Sequence, residues 1–209
     1  MQLLSVNIGL AEAFKIKSGQ SGINKRPVSG PVFIGPLGVA GDAIVDLVNH
    51  GGRDQAVYLF TRPDLDWWSQ AVGRDLPAGT FGENLLLSSG ESAAMRAGDR
   101  LMIGQVVLEV TSPRIPCQTL NVRMNDKGFG KRWLAANRSG FYARVLQTGT
   151  VEAGDMVTLA RFIGAAVTMG EILAGYPFAR PGADFVARAL AAPIHTKLRA
   201  DLRAKSGLA

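Results

Sequence analysis

Short runs of alternating or β-branched apolar residues recur over most of the chain. Glycine, proline and asparagine separate these runs, which is the pattern of a β-barrel or a β-sandwich. The 25 glycines favour the tight corners and bulges that such a fold needs. We therefore predict a mainly β fold over residues 1–164, an antiparallel β-barrel with helical insertions. The predicted strands lie in the segments LLSVNIG (3–9), PVFIG (31–35), AIVDLV (43–48), AVYLF (56–60), RLMIGQVVLEVTS (100–112), FYARVLQTG (141–149) and DMVTLARFI (155–163).

Three segments between these runs have the composition of helices. The first has Pro63 in its first turn and ends at Gly73, positions that both residues favour. Trp67, Trp68 and Trp133 are predicted to pack the helices onto the barrel, because large aromatic side chains usually anchor a core. The three helical segments are PDLDWWSQAVG (63–73), QTLNVRM (118–124) and FGKRWLAANR (129–138).

The composition changes near Thr168. A capping box is predicted there, with Thr168 as the cap and Glu171 three residues later. Two alanine-rich segments follow, over residues 183–191 and 195–205, and prolines separate them. We predict that residues 165–209 form a small C-terminal domain of three helices.

Length, charge and cysteine content limit the functions that the chain can have. It has 209 residues, enough for one domain with a small appendage. No apolar run reaches the roughly 18 residues that a membrane span requires. The N-terminal segment MQLLSVNIGL lacks the basic start and the cleavage site of a signal peptide. A single cysteine permits no internal disulfide and no cysteine-held zinc or iron–sulfur cluster, so we expect a cytoplasmic protein.

The formal net charge of +6 raises the question of an anionic partner. Nucleic acid is not the expected one, because the basic residues form no motif interleaved with aromatic residues. A small anion such as a phosphorylated cofactor fits a moderate positive charge better. A basic surface that is merely solvated is the next interpretation.

The segment TSPRIPCQTLNVRM (111–124) holds the only cysteine, Cys117. Pro113 and Pro116 restrict the backbone on both sides of Arg114, which fixes the direction of the thiol. A nearby arginine and the start of a helix both lower the pKa of a thiol, and the thiolate binds soft metals and attacks electrophiles. A lone cysteine is more often a small buried hydrophobic residue. The two prolines around an arginine nevertheless favour a functional thiolate here.

The segment VNHGGRDQAVYLF (48–60) predicts a loop between two strands that contains His50, Gly51 and Gly52. Adjacent glycines let a backbone approach a ligand closely and expose N–H groups to an anion. His50 could move a proton or donate to a metal-bound oxygen. An ordinary glycine-rich turn explains the same residues equally well.

Further polar residues could complete a pocket for an anion. Glu83 and Asn84 precede an apolar run, where they would either cap a strand or contact the edge of a heterocycle. Single charges in loops are usually only solvated. Taken together, four basic side chains could surround an anion: Lys25, Arg26, Arg114 and Arg138.

Five ordered motifs resemble the MOSC domain, which is named after the C-terminal domain of molybdenum cofactor sulfurases. They are HGGRDQAVYLF, FGENL, GDRLMIG, SPRIPCQTL and RSGFYARV. The chain looks most like the compact YiiM-like branch, which carries a C-terminal three-helix domain. The resemblance implies a β-barrel-like fold that binds a molybdopterin-type molybdenum cofactor. It also implies that Cys117 ligates molybdenum, that His50 lies near the metal, and that Lys25, Arg114 and Arg138 hold the pterin phosphate or raise the potential of the cofactor.

The resemblance further implies an activity. The YiiM-like branch is associated with reduction of N-hydroxylated compounds, including hydroxylaminopurine base analogues. Without cysteines for an iron–sulfur cluster, this chain would receive electrons from a separate protein. Two alternatives use the same cysteine: a carrier of the cofactor or of sulfur without redox chemistry, and a metal-free hydrolase with Cys117 as nucleophile and His50 as base. The oligomeric state, including a homodimer, stays open.

Overall fold

The structure is a computed structural model that describes residues 1–207. Helix and strand take similar shares of the chain, about 29% and 28%, so the predicted mainly β class is corrected to a mixed one. The strands are β1 (Leu3–Ile8), β2 (Glu12–Ala13), β3 (Gln20–Ser21), β4 (Arg26–Val28), β5 (Val32–Gly35), β6 (Gly38–Val39), β7 (Val57–Thr61), β8 (Leu85–Leu87), β9 (Arg100–Ile103), β10 (Val106–Pro113), β11 (Phe141–Gln147), β12 (Gly149–Val151) and β13 (Val157–Ala160). The helices are α1 (Arg62–Val72), α2 (Gln118–Met124), α3 (Phe129–Ala136), α4 (Met169–Gly175), α5 (Ala183–Ala191) and α6 (Thr196–Ser206).

Eight strands form one sheet in the order β13-β9-β10-β11-β7-β8-β1-β4. Its pairs are antiparallel except for β7 and β8, which run parallel because α1 and the following loop carry the chain back across the sheet. Within residues 1–207, β1 and the start of β13 share one isolated bridge, Gln2–Met156, and a few loop hydrogen bonds rather than a ladder. The predicted antiparallel barrel is therefore corrected to a curled mixed sheet that does not close.

Strand β7 separates two hydrophobic cores. Successive residues of a strand point to opposite faces of the sheet. Val57 and Leu59 accordingly join the main core, which the sheet shares with the C-terminal helices. Tyr58 and Phe60 join an aromatic core beneath α1, α2 and α3. This burial on both faces explains why the segment reads as a continuous apolar run.

The three predicted helical insertions form as α1, α2 and α3 and pack on the aromatic core. Trp68 and Trp133 are fully buried there, with ring centroids 5.3 Å apart. Trp67 differs from the prediction, because it is 38% exposed and meets Trp68 edge-on. Adjacent residues of a helix point in different directions, so only one tryptophan of the pair can face the core.

The predicted strand over residues 43–48 is wrong. The Asp46 carboxylate accepts hydrogen bonds from the backbone N–H groups of Val48 and Asn49, at 3.2 and 3.1 Å, and closes a turn. Leu47 and Val48 are each 75% exposed as a result. The other predicted strand segments do contain strands.

The C-terminal helices α4, α5 and α6 contribute to the main core through residues such as Ile172 and Leu202. The predicted capping box is present, with the Thr168 hydroxyl accepting from the Glu171 N–H and the Glu171 side chain accepting from Thr168. A separate domain over 165–209 stays a prediction, and residues 208 and 209 lie outside the described part. None of the described helices is long and apolar enough to cross a bilayer.

Candidate cofactor site

A cavity of about 120 Å³ opens between the sheet and the loops that precede β7. It is bounded by five parts of the chain that are far apart in sequence. The segments 21–25 and 42–51 contribute Ser21, Gly22, Ile23, Lys25, Asp42, Ala43, Ile44, Asp46, His50 and Gly51. The rest of the chain contributes Gln55, Tyr58, Gly82, Asn84, Arg114, Thr119 and Tyr142.

Cys117 lies between two residues that line this cavity, Arg114 and Thr119, because β10 ends at Pro113 and α2 begins directly after the cysteine. Burial raises the pKa of its half-buried thiol, but a hydrogen bond from His50 and the charge of Arg114 lower it more. The pKa consequently falls from 9.0 to about 6. The thiolate therefore predominates at neutral pH, although the side chain itself packs partly against the aromatic core.

Arg114 is 5% exposed and is held from two sides. Its Nη1 donates to the Phe81 carbonyl at 2.9 Å, and its guanidinium lies 5.0 Å from the centre of the Tyr58 ring. Burial tends to lower its pKa, but Tyr142 and Tyr58 help to raise it above the usual value, so the group stays charged. Its Nε is buried and has no hydrogen-bond partner among the described residues.

Lys25 lines the cavity but is already paired. Its ammonium group forms an ion pair with the buried carboxylate of Asp42, which also accepts hydrogen bonds from the Gly9 N–H at 2.8 Å and from Asn84 Nδ2 at 2.9 Å. Burial lowers the pKa of Lys25, against the opposite effect of Asp42. Asn84 in turn accepts from the Tyr58 N–H through its Oδ1. Lys25 and Asn84 thus belong to one buried network at the wall of the cavity.

Glu83 is fully buried beneath the cavity and does not line it. Its carboxylate accepts from the backbone N–H groups of Gly79 and Phe81, at 2.6 and 3.0 Å. Burial raises the pKa of Glu83 to about 7, although these N–H groups and Arg114 act in the opposite direction. Glu83 therefore stabilises the turn whose Phe81 carbonyl accepts a hydrogen bond from Arg114. Of the two predicted roles for Glu83, this position matches the structural one rather than contact with a heterocycle.

The two glycines of the predicted loop have different roles. Gly51 lines the cavity with a φ of +75°, and a Cβ at this position would lie 3.1 Å from the Ile44 side chain. Gly52, with a φ of +77°, lies outside the lining and precedes a short 3-10 turn, Arg53–Gln55. A side chain at Gly51 would therefore both strain the backbone and narrow the cavity.

Two predicted anion-binding residues lie elsewhere. Arg26 is 79% exposed at its side chain and sits 3.8 Å from Glu12. Arg138 pairs with the fully buried Asp64 at 2.7 Å, and its guanidinium lies over Trp67. Of the four basic residues expected to surround one anion, only Lys25 and Arg114 line the cavity, and their binding of an anion stays a prediction.

The sequence prediction missed Asp42, Tyr58 and Tyr142. The two tyrosines are paired across β7 and β11, with ring centroids 4.9 Å apart. Tyr142 belongs to the RSGFYARV motif and Tyr58 to the HGGRDQAVYLF motif, so each lies in a segment that resembles the MOSC domain. Their apolar neighbours indicated only strands, and the pairing of the strands was needed to bring both rings to the cavity.

No cluster of three or more His, Cys, Asp or Glu side chains suited to a metal ion occurs within residues 1–207.

Comparison with known proteins identifies the class. Residues 46–158 match the MOSC domain family. The chain is 32% identical over 159 residues to the Bacillus subtilis protein YflK, covering 75% of this chain and 72% of that protein. It is 36% identical over 168 residues to a Gibberella moniliformis protein named a reductase, covering 75% of this chain but 29% of the fungal protein. The crystal structure of YiiM from Geobacillus stearothermophilus superposes with a TM-score of 0.82 and 28% identity, covering 100% of this chain and 99% of that one.

The chain therefore belongs to the MOSC domain family. Its fold is YiiM-like over the whole length, including the C-terminal helices. The matched family region contains His50, Gly51, Arg114 and Cys117, whereas Lys25 and the C-terminal helices lie outside it.

Proposed function

We propose that this MOSC-domain protein is a molybdenum-cofactor-dependent reductase of N-hydroxylated compounds, such as hydroxylaminopurine-type base analogues, and that a separate protein supplies its electrons. The observation that carries the proposal is the Cys117 thiolate, which His50 and Arg114 stabilise beside a cavity. The reductase name of a fungal relative and the YiiM-like fold support it.

The residues at the cavity fit a molybdenum cofactor. A thiolate is a soft ligand suited to molybdenum alongside the two sulfurs that a pterin dithiolene brings. Arg114 retains an unpaired Nε–H donor among the described residues, and a phosphate oxygen is a suitable acceptor for such a charged donor. Gly51 leaves the space that a side chain would fill. Cys117, Arg114 and Gly51 are therefore the residues that we propose to hold the group.

Reduction of an N–OH group to N–H consumes two electrons and two protons and releases water. When bound, the cofactor supplies the two electrons. His50 hydrogen-bonds to Cys117 and lines the cavity, so its imidazole is placed to give a proton to the departing hydroxyl. Burial and the nearby Cys117 raise the pKa of Tyr142, so its hydroxyl stays protonated and can donate a hydrogen bond to the substrate.

A carrier of the cofactor or of sulfur is the second candidate. The low pKa of Cys117 also suits a persulfide, which forms on a thiolate. A carrier, however, would need no proton donors at the cavity. Tyr142 and His50 therefore favour the reductase, whereas the Tyr58 hydroxyl already donates to the Ser139 carbonyl at 2.7 Å.

The test is turnover by protein produced in a host that synthesises the cofactor. We expect formation of the amine from an aromatic N-hydroxylamine when a reduced dye supplies electrons. Cys117→Ser should form no amine, whereas Thr150→Ser, an exposed control, should match the wild type. Absence of turnover by cofactor-loaded wild type, together with transfer of persulfide sulfur to an acceptor, would support the carrier instead.

A further inference from the structure

A second cavity of about 140 Å³ lies beside the first, between the end of β10 and the C-terminal helices. His50 and Tyr142 line both cavities and form the wall between them. Ile115 lines the second cavity and Thr119 the first, and Cys117 lies midway between these two residues in the chain. Cys117 itself lines neither cavity, but its thiol interacts with His50, which lines both.

The walls of the second cavity combine residues of the matched MOSC region, such as Ser112, Pro113 and Ile115, with apolar side chains from the C-terminal part of the chain, which lies outside that region. Ile172 belongs to α4, Phe178 to the segment that follows α4 and Leu198 to α6, and Tyr176 adds an aromatic edge. A dry apolar cavity of roughly 150 Å³ is large enough to hold benzene. The space therefore suits one flat ring, with room toward solvent for a larger substituent.

Two buried polar side chains face this apolar space. Ser112 is 6% exposed, and its hydroxyl has no hydrogen-bond partner among the described residues. A buried hydroxyl without a partner is costly, so such groups usually await a ligand or a water. His195, also 6% exposed, is the second polar group.

The hydrogen bond that His195 accepts determines which nitrogen carries its proton. Nδ1 accepts from the Lys197 backbone N–H at 2.9 Å and caps α6. Burial lowers the pKa of His195, although Asp54 opposes this, so the ring is neutral at neutral pH. The proton must then be on Nε2, which has no hydrogen-bond partner within residues 1–207. Ser112 and His195 therefore offer two donors to the same cavity.

We propose that the second cavity binds the ring of the substrate, an inference that rests on the proposed function. Ser112 and His195 donate hydrogen bonds to acceptor atoms on that ring. The ligand class is a planar aromatic amine or N-hydroxylamine whose ring carries nitrogen acceptors. Its N-hydroxyl group would point toward His50 and Tyr142. A ring without acceptors would fill the same space but would leave both donors unpaired.

The test compares two probes of the same shape in ligand-observed NMR titrations of the full chain. One probe is 2-aminopyrimidine, whose ring nitrogens accept hydrogen bonds, and the other is aniline, whose ring has none. The variants are Ser112→Ala, which removes only the unpaired hydroxyl, and His195→Asn, which keeps an acceptor for the α6 cap and removes the Nε2 donor. Melting temperatures establish that each variant is folded.

We expect each substitution to weaken 2-aminopyrimidine binding by about three- to tenfold, the range that one hydrogen bond spans, and to leave aniline binding unchanged. Equal affinity of all three proteins for 2-aminopyrimidine would overturn the assignment, as would a lack of saturable binding to the wild type. Thr150→Ser, which is exposed and outside both cavities, should bind 2-aminopyrimidine like the wild type. Because the titration involves no turnover, the binding result stands or falls separately from the reductase activity.

Discussion

The thiol of Cys117 shows how opposing effects fix the charge of one residue. Burial disfavours the thiolate, whereas His50 and Arg114 favour it and prevail. The effect of Arg114 could be predicted from the sequence, because the arginine lies three residues before the cysteine between two prolines. The hydrogen bond from His50 could not be derived in this way, since it joins two loops that are distant in the chain.

The rate of Cys117 alkylation by iodoacetamide should follow the thiolate fraction, with a midpoint near pH 6. Because the folded pKa lies below the ordinary value of 9.0, ionisation stabilises the folded protein increasingly from pH 6 to pH 9. That contribution is lost as the pH falls through 6. His50→Ala should move the midpoint upward, since the hydrogen bond from His50 is the strongest of the effects that lower the pKa.

Cys117→Ser provides the background for this measurement, because it leaves no thiol in the chain. A midpoint near 9 in the wild type would show that the thiol is not activated. An unchanged midpoint in His50→Ala would show that His50 does not contact it.

Lys25→Ala should destabilise the protein by about 3 kcal/mol, because it leaves the carboxylate of Asp42 buried without its ion partner. Urea unfolding at neutral pH measures this change. The double variant Lys25→Ala with Asp42→Asn should regain part of the loss, since it removes the unpaired charge. If Lys25→Ala unfolds at the same urea concentration as the wild type, Lys25 is available for a ligand and the assigned pairing is wrong.

At the scale of elements, the helices were easier to predict than the strands. Residues that favour helix ends, such as Pro63, Gly73 and Thr168, are local signals. Pro63 and Gly73 lie at the two ends of α1, and Thr168 is the N-cap of α4. The segment 43–48 was predicted as a strand because it is a short, mostly apolar run with β-branched residues. The Asp46 side chain competes for the backbone N–H groups there and produces a turn at the edge of the cavity.

Thr168→Ala should cost about 1 kcal/mol of stability, because the Thr168 hydroxyl accepts the Glu171 N–H at the start of α4. Thr168→Ser keeps this acceptor and serves as the matched control, with a change of a few tenths of a kcal/mol expected. Chemical denaturation of both variants supplies the comparison. Equal loss in the two variants would mean that the methyl group of Thr168 matters rather than its hydroxyl.

At the scale of the whole molecule, the sheet and the C-terminal helices meet at the site. The Thr196 N–H donates to Asp54 at 2.9 Å, the His195 N–H donates to the Thr111 carbonyl at 3.1 Å, and Lys197 donates to the Val48 carbonyl. These contacts anchor α6 to the loops that carry His50. The boundary near residue 165 was predicted from composition, which cannot reveal contacts between segments so far apart in the chain.

The same limitation applies to the charged residues. Composition and spacing suggested four cations around an anion, but each arginine or lysine can also serve a buried carboxylate. Asp64 pairs with Arg138 and Asp42 pairs with Lys25, so Arg114 is the cation at the cavity that keeps an unpaired donor within residues 1–207. Which cation faces the ligand depends on where the acidic residues fold, and neither Asp42 nor Asp64 was a candidate from the sequence.

The most direct test of the central claim is the molybdenum content of Cys117→Ser, measured by elemental analysis on protein from a host that makes the cofactor. Serine is close in size to cysteine, so the variant should fold normally, but its hydroxyl stays protonated at neutral pH and is a harder ligand. We predict molybdenum in the wild type and in the exposed control Thr150→Ser, and little or none in Cys117→Ser. Wild-type molybdenum content and turnover in a well-folded Cys117→Ser would contradict the account.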